Sequence, residues 1–219
     1  MASHAQTPAC RRCGDCCRLG GPALHRDDLP LWTRGLLAPR DLLTLRRGEW
    51  VTDNVAGGVG PSPGELVKLA PGPDGRSCRF FRLPPACTIH ADRPLECRTL
   101  SCQAPQALEA LYRQGRLARA DLLPAGGALA ALCAEHETAT DLVRLAGLCA
   151  RALAGDRPAR EEVGRIVRLD AAFRELLPAR AGLAPDTLPF YLGRPPAQAL
   201  PACRAVLSSG GLYKATASA

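Results

Sequence analysis

The chain is poor in aromatics, in lysine and in histidine. Aromatic residues make up 4% of its 219 residues, so any core it builds rests on Leu, Ala and Val. Lys68 and Lys214 are the only lysines. Almost all the positive charge is arginine, scattered rather than gathered into a stripe. The formal charge of +7 is therefore no nucleic-acid footprint, and a nucleic-acid partner is not expected. That charge also counts every thiol as neutral; eight thiolates around two dications would lower it to roughly +3. Four histidines are few for acid–base chemistry, no Ser/His/Asp order stands out, and "GGVG" at 57–60 is too short for a nucleotide loop. No catalytic motif is identified. No run approaches the roughly 18 apolar residues that span a bilayer, and "MASHAQTPACRRC" lacks an apolar stretch of the secretory type. A cytoplasmic chain without membrane association is expected, in a compartment where thiols stay reduced.

Cysteine, by contrast, is abundant. Eleven cysteines under reducing conditions argue for metal rather than disulfides. Eight fall in residues 10–102, in two groups of four. "CRRCGDCCRLG" supplies Cys10, Cys13, Cys16 and Cys17, and "CRFFRLPPACTIHADRPLECRTLSC" supplies Cys78, Cys87, Cys97 and Cys102. Clustered soft thiolates suit zinc or iron, in a mononuclear site or an iron–sulfur cluster, and these eight are the candidate ligands. The C-x2-C-x2-C spacing of Cys10, Cys13 and Cys16 fits a [4Fe–4S] cluster with a fourth ligand from elsewhere. "CRRCG" fits a zinc knuckle equally well, with Gly14 at positive φ turning backbone N–H groups toward sulfur.

Neighbouring side chains diverge in an extended segment, so Cys16 and Cys17 are expected to serve different metal centres, or one to bridge. Downstream, Asp92 can cap and Pro94 can open a helical turn. Cys97 would then sit near a helix N-terminus that favours thiolate, with Arg93 and Arg98 within reach of sulfur. Cys133, Cys149 and Cys203 are set among Ala and Leu at helical spacing and read as core residues.

Around these motifs the pattern is α+β. "ELVKLA", "CRFFRL" and "ACTIH" read as a short antiparallel β meander. "HRDDLPLWTRGLL" reads as a short helix capped by Asp27 or Asp28, with Pro30 in its first turn. Beyond residue 103 the pattern turns helical: "PQALEALYRQGRLA", "TATDLVRLAGLCARALAG", "RPAREEVGRIVRLDAAFRELL" with Pro158 at its start, and "PPAQALPACRAVL". The expected organisation is a cysteine-cluster metal-binding region at 1–103 and a helical region at 104–219 packed against it, as a bundle of three to five helices.

Three elements, "CRRCGDCC", the "C-x-F-F" of Cys78–Phe81 and "CTIHADRPLECR", resemble the YkgJ-type cysteine-cluster proteins over roughly residues 10–102. That family is described as carrying a zinc- or iron-chelating domain, and the resemblance implies the same use for this region. The family pattern has Tyr where this chain has His90. His90 lies three residues after Cys87, a spacing compatible with ligation, but it reads as an exchange at a packed aromatic position. A related cysteine pattern occurs in flagellin lysine N-methylases. The leading expectation is a metal-chelating protein whose partners are metal ions. The alternatives are a cluster-containing protein-modifying enzyme, or a zinc-stabilised module whose helical half binds a protein partner.

Overall fold

The structure, a computed structural model, describes residues 10, 12–102 and 104–209. Its strands are short and come in pairs: β1 (Leu42–Leu45) with β4 (Leu66–Leu69), β2 (Trp50–Thr52) with β3 (Val59–Pro61), and β5 (Phe81–Arg82) with β6 (Ala86–Cys87). β2 and β3 are antiparallel, with Val51 opposite Gly60. β5 and β6 are also antiparallel, with Phe81 opposite Cys87. With helices in both halves, the fold is α+β as expected. The three anticipated strands do not form one ladder: a single antiparallel bridge, Pro71 to Cys78, separates β4 from the β5–β6 pair. The intervening "PGPDGRS" contains two prolines, which have no N–H to extend a ladder.

The chain divides into two compact units. One combines residues 1–43 with 66–122, the other 44–65 with 123–219.

The first, cysteine-rich unit holds five short helices: α1 (Asp15–Arg18), α2 (Leu29–Thr33), α3 (Leu95–Thr99), α4 (Gln106–Leu111) and α5 (Arg119–Leu122). Its centre is a closed set of backbone bonds among three segments. Leu24 N–H donates to Val67 O (2.9 Å), Val67 N–H to Leu117 O (2.8 Å) and Leu117 N–H to Leu24 O (2.8 Å). All three side chains are buried and make the core with Leu31, Leu37 and Leu69. The helix expected over "PQALEALYRQGRLA" stops at Leu111. Gly115 takes a left-handed φ of 60°, and Leu117 is drawn into the extended triplet instead.

The second unit is helical: α6 (Ala128–Ala139), α7 (Leu142–Leu153), α8 (Arg157–Ala181), α9 (Leu188–Leu192), α10 (Pro196–Ala199) and α11 (Pro201–Ser209). Asp141 caps α7 by accepting from Val143 N–H (2.7 Å) and Arg144 N–H (3.0 Å). Asp156 caps α8 through Ala159 N–H (2.9 Å), with Pro158 in the first turn as expected. Leu145, Cys149, Val163, Ile166, Cys203 and Val206 meet in a common core. Cys149 and Cys203 are fully enclosed there, and Cys133 is buried as well. Polar groups are buried too. Arg46 donates to Glu137 (2.8 Å) and Thr140 O (2.9 Å). His136 Nε2 lies 2.8 Å from Asp170, whose carboxylate also takes Arg174 Nε at 2.8 Å. Among the described residues no helix is long and apolar enough to cross a membrane.

Candidate metal centre

Cys16 and Cys17 lie within α1, a single helical turn rather than an extended strand. Gly14 precedes it at φ 81°, ψ 1°, and a β-carbon there would come within 2.6 Å of Phe81 Cε2. The positive φ expected of Gly14 is thus present, and the flat approach of Phe81 is a second reason for glycine. Arg18 closes the turn: its Nη1 donates to Cys13 O (3.1 Å) and Asp15 Oδ1 (2.9 Å), and its guanidinium lies over the Phe81 ring at 5.2 Å. In this tight geometry the Cys16 and Cys17 sulfurs are 3.9 Å apart. That overturns the expected divergence of the two side chains, whose premise was an extended backbone.

A backbone N–H already faces sulfur: Arg12 N–H donates to Cys10 Sγ at 3.4 Å. Cys78 N–H donates to Cys17 O at 2.7 Å, joining the two cysteine segments directly. The β5–β6 pair sets Cys87 beside Phe81. Cys97 rides on α3, and Cys102 follows that helix.

The anchoring of α3 is long-range. Its first N–H, from Leu95, donates to Asp28 Oδ1 at 2.8 Å, and Asp28 Oδ2 accepts from His25 N–H at 2.9 Å. Asp28 precedes α2 but its side chain caps no N–H of that helix, contrary to expectation; it closes the preceding turn onto His25 N–H and holds the first N–H of α3 instead. The cap expected of Asp92 is not made, since Asp92 pairs with Arg34 at 3.4 Å. Glu96 turns inward, taking Ala23 N–H (2.9 Å) on one oxygen and His25 Nε2 (3.1 Å) on the other. His25 Nδ1 donates to Gln114 O at 2.6 Å, so both ring nitrogens face acceptors. Glu96 foremost raises the His25 pKa, which favours the charged form of the ring. Burial pushes the Asp28 carboxyl up. Neither expected arginine reaches sulfur. Arg93 Nη1 donates to His90 O at 2.9 Å, and Arg98 lies 3.9 Å from Asp28.

The result is one cavity of about 330 Å³ whose wall includes Cys10, Cys13, Cys16, Cys17, Cys87, Cys97 and Cys102, with Phe81, His90 and Ser101. Cys78 is not on that wall; it is buried, close enough for its charge to act on Cys17 and Cys97. The thiols do not converge on a single point: among the described residues no three His, Cys, Asp or Glu side chains are grouped to hold an ion as they stand. Residues 9–114 match the family model CxxCxxCC, described as "Putative zinc- or iron-chelating domain". The match covers 106 of the chain's 219 residues. All eight clustered cysteines lie inside it, and Cys133, Cys149 and Cys203 lie outside. No curated protein and no solved structure matches the chain.

Within the matched segment burial raises the pKa of the inner thiols. Burial, then the neighbouring Cys16, raises Cys17 to about 12. Burial likewise pushes Cys16, Cys78 and Cys97 up, with the surrounding cysteines adding to it. For Cys97, expected to favour thiolate near the start of α3, burial acts in the opposite direction. Burial, with the charges of Arg12 and Arg93, pushes the His90 imidazole down. The His25–Asp28–Glu96 assembly was not legible in the sequence because Glu96 lies 71 residues beyond His25. The available signal was "HRDD", whose His25 and Asp28 have capping-box spacing, and the carboxylate adjoining Cys97.

Proposed function

We propose that the matched segment binds zinc or iron through Cys10, Cys13, Cys16, Cys17, Cys78, Cys87, Cys97 and Cys102, in a centre of more than one metal ion. The observation that carries this reading is that seven of these thiols line one cavity, with the eighth buried nearby. Eight sulfurs exceed what one tetrahedral ion can use and match two sets of four. The 3.9 Å between the Cys16 and Cys17 sulfurs is close to the roughly 3.8 Å edge of a tetrahedron with metal–sulfur bonds of about 2.3 Å. Adjacent cysteines can therefore close on one ion or on a pair that shares them.

The wall also fits a sulfur-rich guest in its polar groups. His90 Nε2 and Ser101 Oγ are buried there without any partner, and such groups are rarely left unpaired. When bound, zinc would supply a structural or Lewis-acid centre and an iron–sulfur cluster an electron-transfer centre. A thiol-rich centre of this kind suits a reducing compartment such as the cytoplasm.

The test is metal content and colour of the full chain purified without oxygen. The expected result is at least two equivalents of zinc or iron per chain. A brown solution with broad visible absorption would assign iron–sulfur, and a colourless one zinc. A chain that retains no metal, and takes none up from zinc or ferrous iron, would contradict the reading.

A further inference from the structure

His90 Nε2 and Ser101 Oγ share three properties: each is sealed from solvent, each lacks a hydrogen-bond partner, and each belongs to a residue on the wall of the thiol-lined cavity. The proton on the His90 ring can be placed. Arg93 Nη1 lies 3.4 Å from His90 Nδ1 and donates to His90 O at 2.9 Å. A guanidinium carries donors only, so Nδ1 must turn its lone pair to it, and the proton of the neutral ring resides on Nε2. A protonated Nε2 cannot ligate a metal, but it can donate. Ser101 offers a hydroxyl proton in the same way, one residue from Cys102 and four from Cys97. The abundant acceptors on this wall are the cysteine sulfurs.

Resting on the reading of the cavity as a metal centre, we propose that His90 and Ser101 donate hydrogen bonds to the sulfur atoms of the bound centre, and that His90 is not a ligand. Such bonds withdraw electron density from sulfur. On a zinc centre they lower the nucleophilicity of the bound thiolates; on an iron–sulfur centre they raise its reduction potential. The two residues thus set how reactive the centre is, while the cysteines hold it.

The experiment uses the full chain carrying nitrogen-labelled histidine and loaded with an NMR-active cadmium isotope. The expected result is a His90 ring protonated at Nε2, unprotonated at Nδ1, and without nitrogen–cadmium coupling. In the same cadmium-loaded protein His90→Ala and Ser101→Ala should each speed alkylation of the bound thiolates by iodoacetamide by about fivefold, the loss of one net hydrogen bond. His90→Gln, which keeps an N–H near the Nε2 position, should restore the slower rate. An unprotonated Nε2 coupled to cadmium would overturn this proposal and leave the metal centre standing, as would unchanged alkylation in both alanine variants. Failure of cadmium to bind at all would overturn the metal-centre reading, and this proposal with it.

Discussion

Cys16 and Cys17 come within 3.9 Å because Gly14 turns the chain at positive φ and Arg18 ties the turn shut over Phe81. An alanine at position 14 would meet both a disfavoured backbone and a β-carbon 2.6 Å from the Phe81 ring. Gly14→Ala should therefore cost the cysteine-rich unit about 1–3 kcal/mol, read as a lower urea midpoint, and should weaken metal retention with every thiol still present. An unchanged midpoint would mean that the turn is not constrained as described. Ligand roles are tested one residue at a time. Cys13→Ser or Cys97→Ser should sharply lower bound metal per chain, whereas Cys149→Ser, in the helical core, should leave it intact. Equal losses in all three would contradict the assignment. The cysteine spacing was legible in the sequence, and so was Gly14. The helical turn was not: four residues carry no periodicity, and the turn is set by Phe81, more than sixty positions downstream.

Among the elements, α3 shows how a short helix is held where propensity alone would not hold it. Five residues cannot sustain an isolated helix. Asp28 caps α3, and Glu96 binds it to His25 and Ala23. Glu96→Gln removes the carboxylate opposite the buried His25 ring, and the loss should reach Cys97 next to it. Metal affinity measured against a chromophoric chelator should fall by about 10–100-fold, the usual range for a residue that orients a ligand. An affinity equal to the native one would show that α3 needs no such anchor.

In the helical unit, α6 and α8 are joined by His136 and Asp170. Desolvation holds the His136 pKa below its ordinary value, so the unfolded chain takes up this proton first. The contribution of the neutral ring is complete above about pH 6.5 and is lost as pH falls through 6.5 toward the folded value. His25, raised by Glu96, has the opposite sign, so the informative comparison is His136→Gln against the native chain at each pH. The gap between their thermal midpoints should narrow from about pH 7 to 5; parallel curves would refute it. α7 and α8 were legible from apolar spacing and Asp caps. The buried Arg46, His136 and Asp170 were not, because a charged residue on an amphipathic helix reads as solvent-facing until its partner is known.

At the scale of the whole molecule, two units of different character share one chain. The helical unit closes on an apolar core of its own, whereas the cysteine-rich unit combines a small leucine core with thiols that must release protons to bind metal. A metal site cannot pre-exist in an unfolded segment, so binding energy there becomes folding energy. Chelation of the loaded protein should make the cysteine-rich unit, residues 12–43 and 66–122, sensitive to protease while fragments of the helical unit persist, seen as stable bands on limited digestion; equal resistance with and without metal would contradict the coupling. The α+β class, the two cysteine groups and the helical second half could be read from composition and spacing. The interleaving of the units could not, because residues 44–65 join the second unit through tertiary contacts that no local pattern records. The central claim is that the clustered cysteines are metal ligands in a centre of more than one ion. X-ray absorption at the metal edge of the anaerobically purified full chain tests it most directly. The account predicts a first shell dominated by sulfur at about 2.3 Å, with a further metal–metal scattering path that weakens in Cys17→Ser. A shell of oxygen and nitrogen without sulfur would contradict it.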